Sequence, residues 1–399
     1  MIKIDTSLFE QDIIGSIYQN DGIVVKLLQN EISNYLIRPN NNEIVKKLLV
    51  KWFCDEHEVL SNIKISQFLL STDLTPIIND YFETICECYW GDKEYSSVLI
   101  KWPSIKKEAL ETNDKSIRKD KITQVINADS ICMFEGISVT DLDAEPRNGS
   151  VFANKKKIER IVTKYGAELD KIRSEFSNIF DYDTFAPKFR HKLLEAMHIS
   201  VCPYCNRQYI TIFVDNNERE VKSTADIDHF YSKANYPFLA LSLYNFVPSC
   251  PICNSRFKLQ RDFFLVPHVN PYKRGFETDG IFRLSNLDAL LGNTSRSEPI
   301  FELVSPTHNQ EVENSIQTFH LSAVYQSHAD YVKELIIKAK VYSDKQLEEY
   351  LHNFKDLFND KKEMKNILYG TYLQSADSGK RPLAKLALDI LIDLGVDLE

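Results

Sequence analysis

Four cysteines stand in two pairs of identical spacing, Cys202-Pro-Tyr-Cys205 and Cys250-Pro-Ile-Cys253, with 44 residues between the pairs. A Cys-x-x-Cys turn presents two thiolates side by side, and two such turns complete the tetrahedral sulfur shell that Zn²⁺ accepts without geometric penalty. A closed shell of four sulfurs has no position left for water, so the expected metal is structural. The spacer exceeds that of an ordinary zinc ribbon, which implies something functional threaded between the two knuckles. A redox role would require a thioredoxin-like βαβ setting, and the flanking pattern does not offer one. The other four cysteines, Cys54, Cys86, Cys88 and Cys132, lack ligand-like spacing and are expected to be inert, buried thiols.

Residues 225–258, ADIDHFYSKANYPFLALSLYNFVPSCPICNSRFK, carry an Asp-His pair, a central Asn and an Asn just after the last cysteine. Together with the knuckles, Asp228-His229, Asn245 and Asn254 resemble the HNH, or ββα-metal, endonuclease family over Cys202–Lys258. Ile227 and Phe230 fit the apolar flanks of a short strand, and the run from Cys250 to Lys258 fits the opening of the helix. The resemblance implies hydrolysis of a phosphodiester, leaving 5′-phosphate and 3′-hydroxyl ends. His229, neutral near pH 7, would take the proton from water. Asp228 and the side-chain carbonyl of Asn254 would hold one Mg²⁺ or Mn²⁺, a hard cation that prefers oxygen ligands. Asn245 would hold the loop and orient the base. Asp226, two residues before Asp228, would be a supporting carboxylate, and Lys233, Arg256 and Lys258 would meet the phosphate backbone.

The sequence departs from that family in three places. Asn254 stands where many members have His, Ser232 where a Pro is common, and Lys258 one residue later than the usual Lys. Ser232 is therefore expected to loosen the loop after the base. Neighbouring strand residues point to opposite faces, so Asp228 and His229 can share one centre only where the strand ends or is irregular. Without the family pattern, Asp228-His229 reads as a satisfied polar pair in a structural zinc ribbon. His268 reads as a loop residue, with a ligand or substrate contact as the alternative. The runs Tyr204-Cys-Asn-Arg-Gln-Tyr-Ile210 and Lys380-Arg-Pro-Leu-Ala-Lys385 are similar to HNH proteins of bacterial antiphage modules, the nuclease subunits that accompany an ATPase in Septu-type systems and some retrons. That similarity implies an ATPase partner.

The elements that must position these residues follow from periodicity. The pattern predicts an α+β protein, with a central ββα-metal HNH module and its Cys₄ zinc site between mainly helical regions. The expected divisions are 1–185, of unknown partner or sensor role, then 186–275 and 276–399. Helices are predicted near Asn41–Cys54, Tyr331–Tyr350 and Leu383–Leu394, the last opened by Pro382 and closed by Gly395. Ile158, Val162, Tyr165, Leu169, Ile172, Phe176 and Ile179 alternate steps of four and three, a heptad seam weakened by Gly166 and expected to pack within its own domain. Asp141–Ser150 and Asp181–Pro187 read as loops.

The chain has 399 residues, 43% hydrophobic and 26% charged, enough for two or three domains with real cores. No basic start followed by a long apolar run is visible, and no stretch of about 18 uncharged apolar residues occurs. The expectation is a soluble, cytoplasmic protein with no membrane span. A Gly-x-x-x-x-Gly-Lys-Ser/Thr loop is also missing from the sequence, which excludes nucleotide hydrolysis by that route. The net charge is −9, yet Lys188–Arg274 holds twelve Lys and Arg against seven Asp and Glu. A basic segment in an acidic chain fits local contact with DNA, or with RNA, since metal-assisted hydrolysis does not choose the sugar. A non-catalytic zinc-stabilised binding module is the alternative from another class.

Overall fold

A computed structural model describes residues 1–91, 168–215, 220–286, 300–354 and 357–398. Cys132, the Asp141–Ser150 loop, Gly166 and the seam positions Ile158, Val162 and Tyr165 lie outside the described residues. The fold is mixed α+β and mostly helical, with small antiparallel sheets. By its internal contacts the chain divides into two compact units. One comprises Met1–Ile17, Ala186–Phe230 and Asn245–Glu399; the other comprises Tyr18–Phe185 and Tyr231–Tyr244.

Among the described residues, the chain before Asp181 holds the α-helices α1 (Gln11–Tyr18), α2 (Ile23–Leu36), α3 (Glu43–Phe53), α4 (Asn62–Leu69), α5 (Thr75–Trp90) and α6, over residues 168–179. The stretch Asp181–Pro187, expected as a loop, forms short helical turns at Tyr182–Phe185 and Ala186–Lys188. Helix α3 starts where its polar residues allow, because the Asn42 side chain accepts from the Ile44 and Val45 amides. In α6 the seam residues Leu169, Ile172, Phe176 and Ile179 are all buried. Phe176 meets Trp52, Tyr81 and Phe238 at ring separations of 5.7, 5.9 and 5.7 Å, so this half of the seam packs inside its own unit. Phe238 comes from residues 231–244, the stretch between the Asp-His pair and Asn245. Burying that large ring removes apolar area worth about 2–3 kcal/mol from water, which ties the stretch to the helical unit.

Among the described residues of the cysteine-bearing unit, α7 (Arg190–Ala196) precedes three two-stranded antiparallel sheets: β1 (Ile212–Asp215) with β2 (Glu220–Ser223), β3 (Asp226–His229) with β4 (Phe246–Ser249), and β5 (Ile281–Leu284) with β6 (Phe301–Val304). A two-stranded ribbon tolerates Pro248 within β4, because a strand edge leaves some N–H groups without a ladder partner anyway. Among the described residues, six further helices belong to this unit: α8 (Gln310–Thr318), α9 (Leu321–Tyr325), α10 (Ala329–Val341), α11 (Asp344–Asn353), α12 (Lys361–Tyr369) and α13 (Ala384–Asp393). The helix predicted over Tyr331–Tyr350 is two helices, because Ser343 forms a capping box with Gln346 and starts α11 afresh. Helix α13 ends as predicted, with Gly395 at φ 73° beyond its last turn. No helix among the described residues is long and apolar enough to cross a membrane.

Candidate metal centre and hydrolytic site

The sulfur atoms of Cys202, Cys205, Cys250 and Cys253 lie within 4.8 Å of one another, and all four residues are buried. A Zn–S length of about 2.3 Å in a tetrahedron puts neighbouring sulfurs about 3.8 Å apart. Cys205 and Cys250 stand 4.0 Å apart, close to that spacing. The first knuckle is shaped by a bond from the Asn206 amide to the Cys202 carbonyl at 2.8 Å, and the Arg207 amide donates to Cys205 Sγ at 3.4 Å. Burial pushes the Cys202 thiol well up, so a cation is needed to keep a full set of thiolates here. The donor set and its spacing are consistent with a structural zinc site. The other described cysteines differ among themselves: Cys54 and Cys86 are buried, whereas Cys88 is exposed beside Lys47, contrary to the expectation of burial.

The second knuckle leads into a helical turn of π type, Cys253–Lys258, in which the Leu259 amide bonds the Asn254 carbonyl at 3.1 Å, a step of five residues. The wider turn holds one residue more than an α turn. The turn ends at Leu259, whose φ of 52° is costly for a residue with a branched side chain.

Strands β3 and β4 pair Asp226 with Ser249, Ile227 with Pro248, Asp228 with Val247 and His229 with Phe246. Asp226 and Asp228 therefore share one face, and the π turn sends its polar side chains to them. Asn254 Nδ2 donates to Asp226 Oδ2 at 3.1 Å, with Ser255 Oγ at 3.4 Å from the same oxygen. Lys258 Nζ donates to Asp228 Oδ1 at 2.9 Å and to the His229 carbonyl at 2.6 Å. The other carboxylate oxygen of Asp228 accepts from the Tyr204 hydroxyl at 2.5 Å. The Asp228 and Lys258 side chains are 5% and 2% exposed, so this is a buried ion pair. Lys258, expected at the phosphate backbone, spends its charge inside the protein. The reason is physical: a buried ammonium must find partners, and Asp228 with the His229 carbonyl supplies them.

His229 is the last residue of β3 and is buried, 8% exposed, and because the ladder stays regular up to it, Asp228 and His229 do not share one face. Its ring meets its cross-strand partner Phe246 edge-on at 5.2 Å, on the face opposite Asp228. Asn245 is fully buried just before β4, and its carbonyl accepts from the Phe230 amide at 2.8 Å. Asp226, Asp228, Asn254 and Lys258 are thus gathered on one face, with His229 at the strand end beside them in sequence. Arg256 is exposed. Lys233 belongs to the helical unit and pairs with Asp183 at 2.7 Å. Ser232 tightens its loop instead of loosening it: its carbonyl accepts from the Asn235 and Tyr236 amides, and its hydroxyl accepts from the Ala234 amide.

Much of the basic excess is committed within the fold. Lys222 pairs with Asp215, Arg274 with Asp279 and Glu311, and Arg190 donates to the Ala225 carbonyl. Arg207 donates to His328 Nε2 at 3.0 Å. His268 is buried, stacked on Phe263 at 3.8 Å and bonded to Val266 and Thr318, which is a packing role. Sequence reasoning missed Tyr204. Its place inside a Cys-x-x-Cys turn was visible, but its reach to a residue 24 positions away was not. Comparison of the chain with known protein families, with curated proteins and with solved structures gives no match.

Proposed function

We propose that the cysteine-bearing unit is a nuclease module that hydrolyses phosphodiester bonds, with DNA as substrate and His229 as the base. The observation that carries this reading is the order of parts along β3, β4 and the π turn. Two antiparallel strands followed by a π turn, next to a four-cysteine cluster, carry Asp228-His229, Asn245 and Asn254 in the order that the resemblance expects. In the proposed step, water attacks phosphorus while His229 takes its proton. The 3′-oxygen leaves with the bonding electron pair and takes a proton from solvent to become the 3′-hydroxyl, while His229 later returns its proton to solvent. The oriented loop around Asn245 holds the end of β3 in place for that transfer.

The resemblance to HNH enzymes also implies Mg²⁺ on Asp228 and Asn254. The residues as they stand do not fit that ion. One oxygen of Asp228 holds the Lys258 ammonium and the other the Tyr204 hydroxyl, while the Asn254 amide is turned to Asp226. No chemical step is assigned to a cation here. The satisfied carboxylate of Asp228 favours a second reading, in which the same unit is a zinc-stabilised binding module without catalysis. An ATPase partner, as in the antiphage assemblies, is part of the first reading and rests on the resemblance.

Purified wild-type chain and His229→Ala, incubated with plasmid DNA and with total RNA in Mg²⁺ or EDTA, separate these readings. The nuclease reading expects DNA cleavage by the wild type and a loss of about 10²–10⁴ in rate in the variant, with zinc content intact. Cleavage of RNA alone would reassign the substrate. Nucleic-acid binding without cleavage would leave the binding module.

A further inference from the structure

The two knuckles each send one side chain to the same carboxylate. Tyr204, from inside the first Cys-x-x-Cys turn, reaches Asp228 Oδ2, and Lys258, from the end of the turn that follows the second, reaches Asp228 Oδ1. We propose that Lys258 and Tyr204 are positioning residues that hold His229 through Asp228, so that the cysteine cluster aligns the base as well as stabilising the fold. This inference rests on the reading of His229 as a base.

The Lys258 ammonium has three N–H donors and almost no access to water. One goes to Asp228, a second to the His229 carbonyl, and the charge faces the Phe263 ring at 4.9 Å from its centroid. A lysine so buried and so engaged would have to break its ion pair with Asp228 to turn to a phosphate, which is strongly unfavourable. Its bond to the His229 carbonyl acts on the backbone of the proposed base itself, at the point where β3 ends. Asp228 fixes the lysine, and Tyr204 fixes Asp228. The chain of contacts therefore runs from each cysteine turn to the backbone that carries the imidazole. Two converging anchors restrict a side chain more than either alone, and catalysis is sensitive to displacements of about 1 Å at the reacting groups.

Lys258→Met and Tyr204→Phe in the full chain test this. Zinc content is measured first, to show that each variant keeps its cysteine cluster. The nitrogen resonances of ¹⁵N-histidine-labelled protein then report on His229, whose signals are identified by their loss in His229→Gln. The expected result is a moved or broadened His229 signal in both variants. Cleavage should fall about ten- to a hundredfold in kcat with little change in KM. If Lys258→Met loses zinc, Tyr204→Phe, which removes a single hydroxyl, carries the test. An unmoved His229 signal in a zinc-loaded variant would overturn the inference. So would a loss in Lys258→Met that falls on KM and lowers the salt slope of DNA binding by about one, the mark of a phosphate contact. A wild-type chain that cleaves neither DNA nor RNA would remove the nuclease reading, and the histidine signal would still decide whether these residues hold His229.

Discussion

His268 illustrates how burial decides what a polar side chain does. Its Nδ1–H donates to the Val266 carbonyl and its Nε2 accepts from the Thr318 hydroxyl, an arrangement that suits the neutral ring. Burial pushes its pKa down to about 4, against about 6.5 in an unfolded chain. Between those values the unfolded chain binds a proton that the folded one refuses. Stability from this group is complete above about pH 6.5 and is lost as pH falls toward 4, by about 3 kcal/mol at most. Thermal unfolding followed from pH 7 to pH 4 should show this slope, and His268→Gln should flatten part of it. An equal slope in both proteins would show that His268 carries none of the acid sensitivity.

Elements hold the site through a few side chains that act over long sequence distances. Asn206, at φ 50° after the first knuckle, is fully buried and fastens the start of α13. Its Nδ2 donates to the Ser378 carbonyl at 2.9 Å, its Oδ1 accepts from the Lys385 amide at 3.1 Å, and its own carbonyl accepts from the Leu383 amide at 2.6 Å. The run Lys380–Lys385 thus docks the C-terminal helix on the cysteine turn. Asn206→Ala should leave two backbone groups without partners and cost about 2–4 kcal/mol. Hydrogen exchange should then quicken over residues 378–389 and leave α3 and α5 unchanged. Protection equal to wild type over 378–389 would rule out the fastening role.

For the molecule as a whole, the cysteine cluster and the charge distribution make separate demands. A structural metal contributes folding energy, so Cys253→Ser should reduce soluble yield and release zinc, against one zinc per wild-type chain. Fully active wild-type protein with zinc near zero, purified without chelator, would end the zinc assignment. The net charge of −9 disfavours nucleic acid at long range, and part of the basic middle, Lys222, Lys233, Lys258 and Arg274, is paired with carboxylates within the fold. The isolated chain should therefore bind DNA weakly. A second subunit, the proposed ATPase, should strengthen binding and make cleavage by the complex fall steeply with added salt. Tight, sequence-selective binding and rapid cleavage by this chain alone would contradict that view.

Local chemistry was legible from residue type and spacing. Two Cys-x-x-Cys turns can meet in one four-sulfur shell, a helix can run over Asn41–Cys54, and Gly395 can follow α13, because each depends on residues a few positions apart or on a ligand preference. The internal packing of the seam in α6 follows from the helix period in the same way. Only the tertiary structure decided where Lys258 points, because its charge is satisfied by Asp228, thirty residues earlier in the chain. Only packing decided that the stretch between His229 and Asn245 is anchored by Phe238 in the helical unit, since an aromatic ring does not announce which core will bury it. Sequence states which groups are present and which short-range pairs they favour. Burial, set by contacts between distant segments, determines which of those groups meets water and which must find its partner inside.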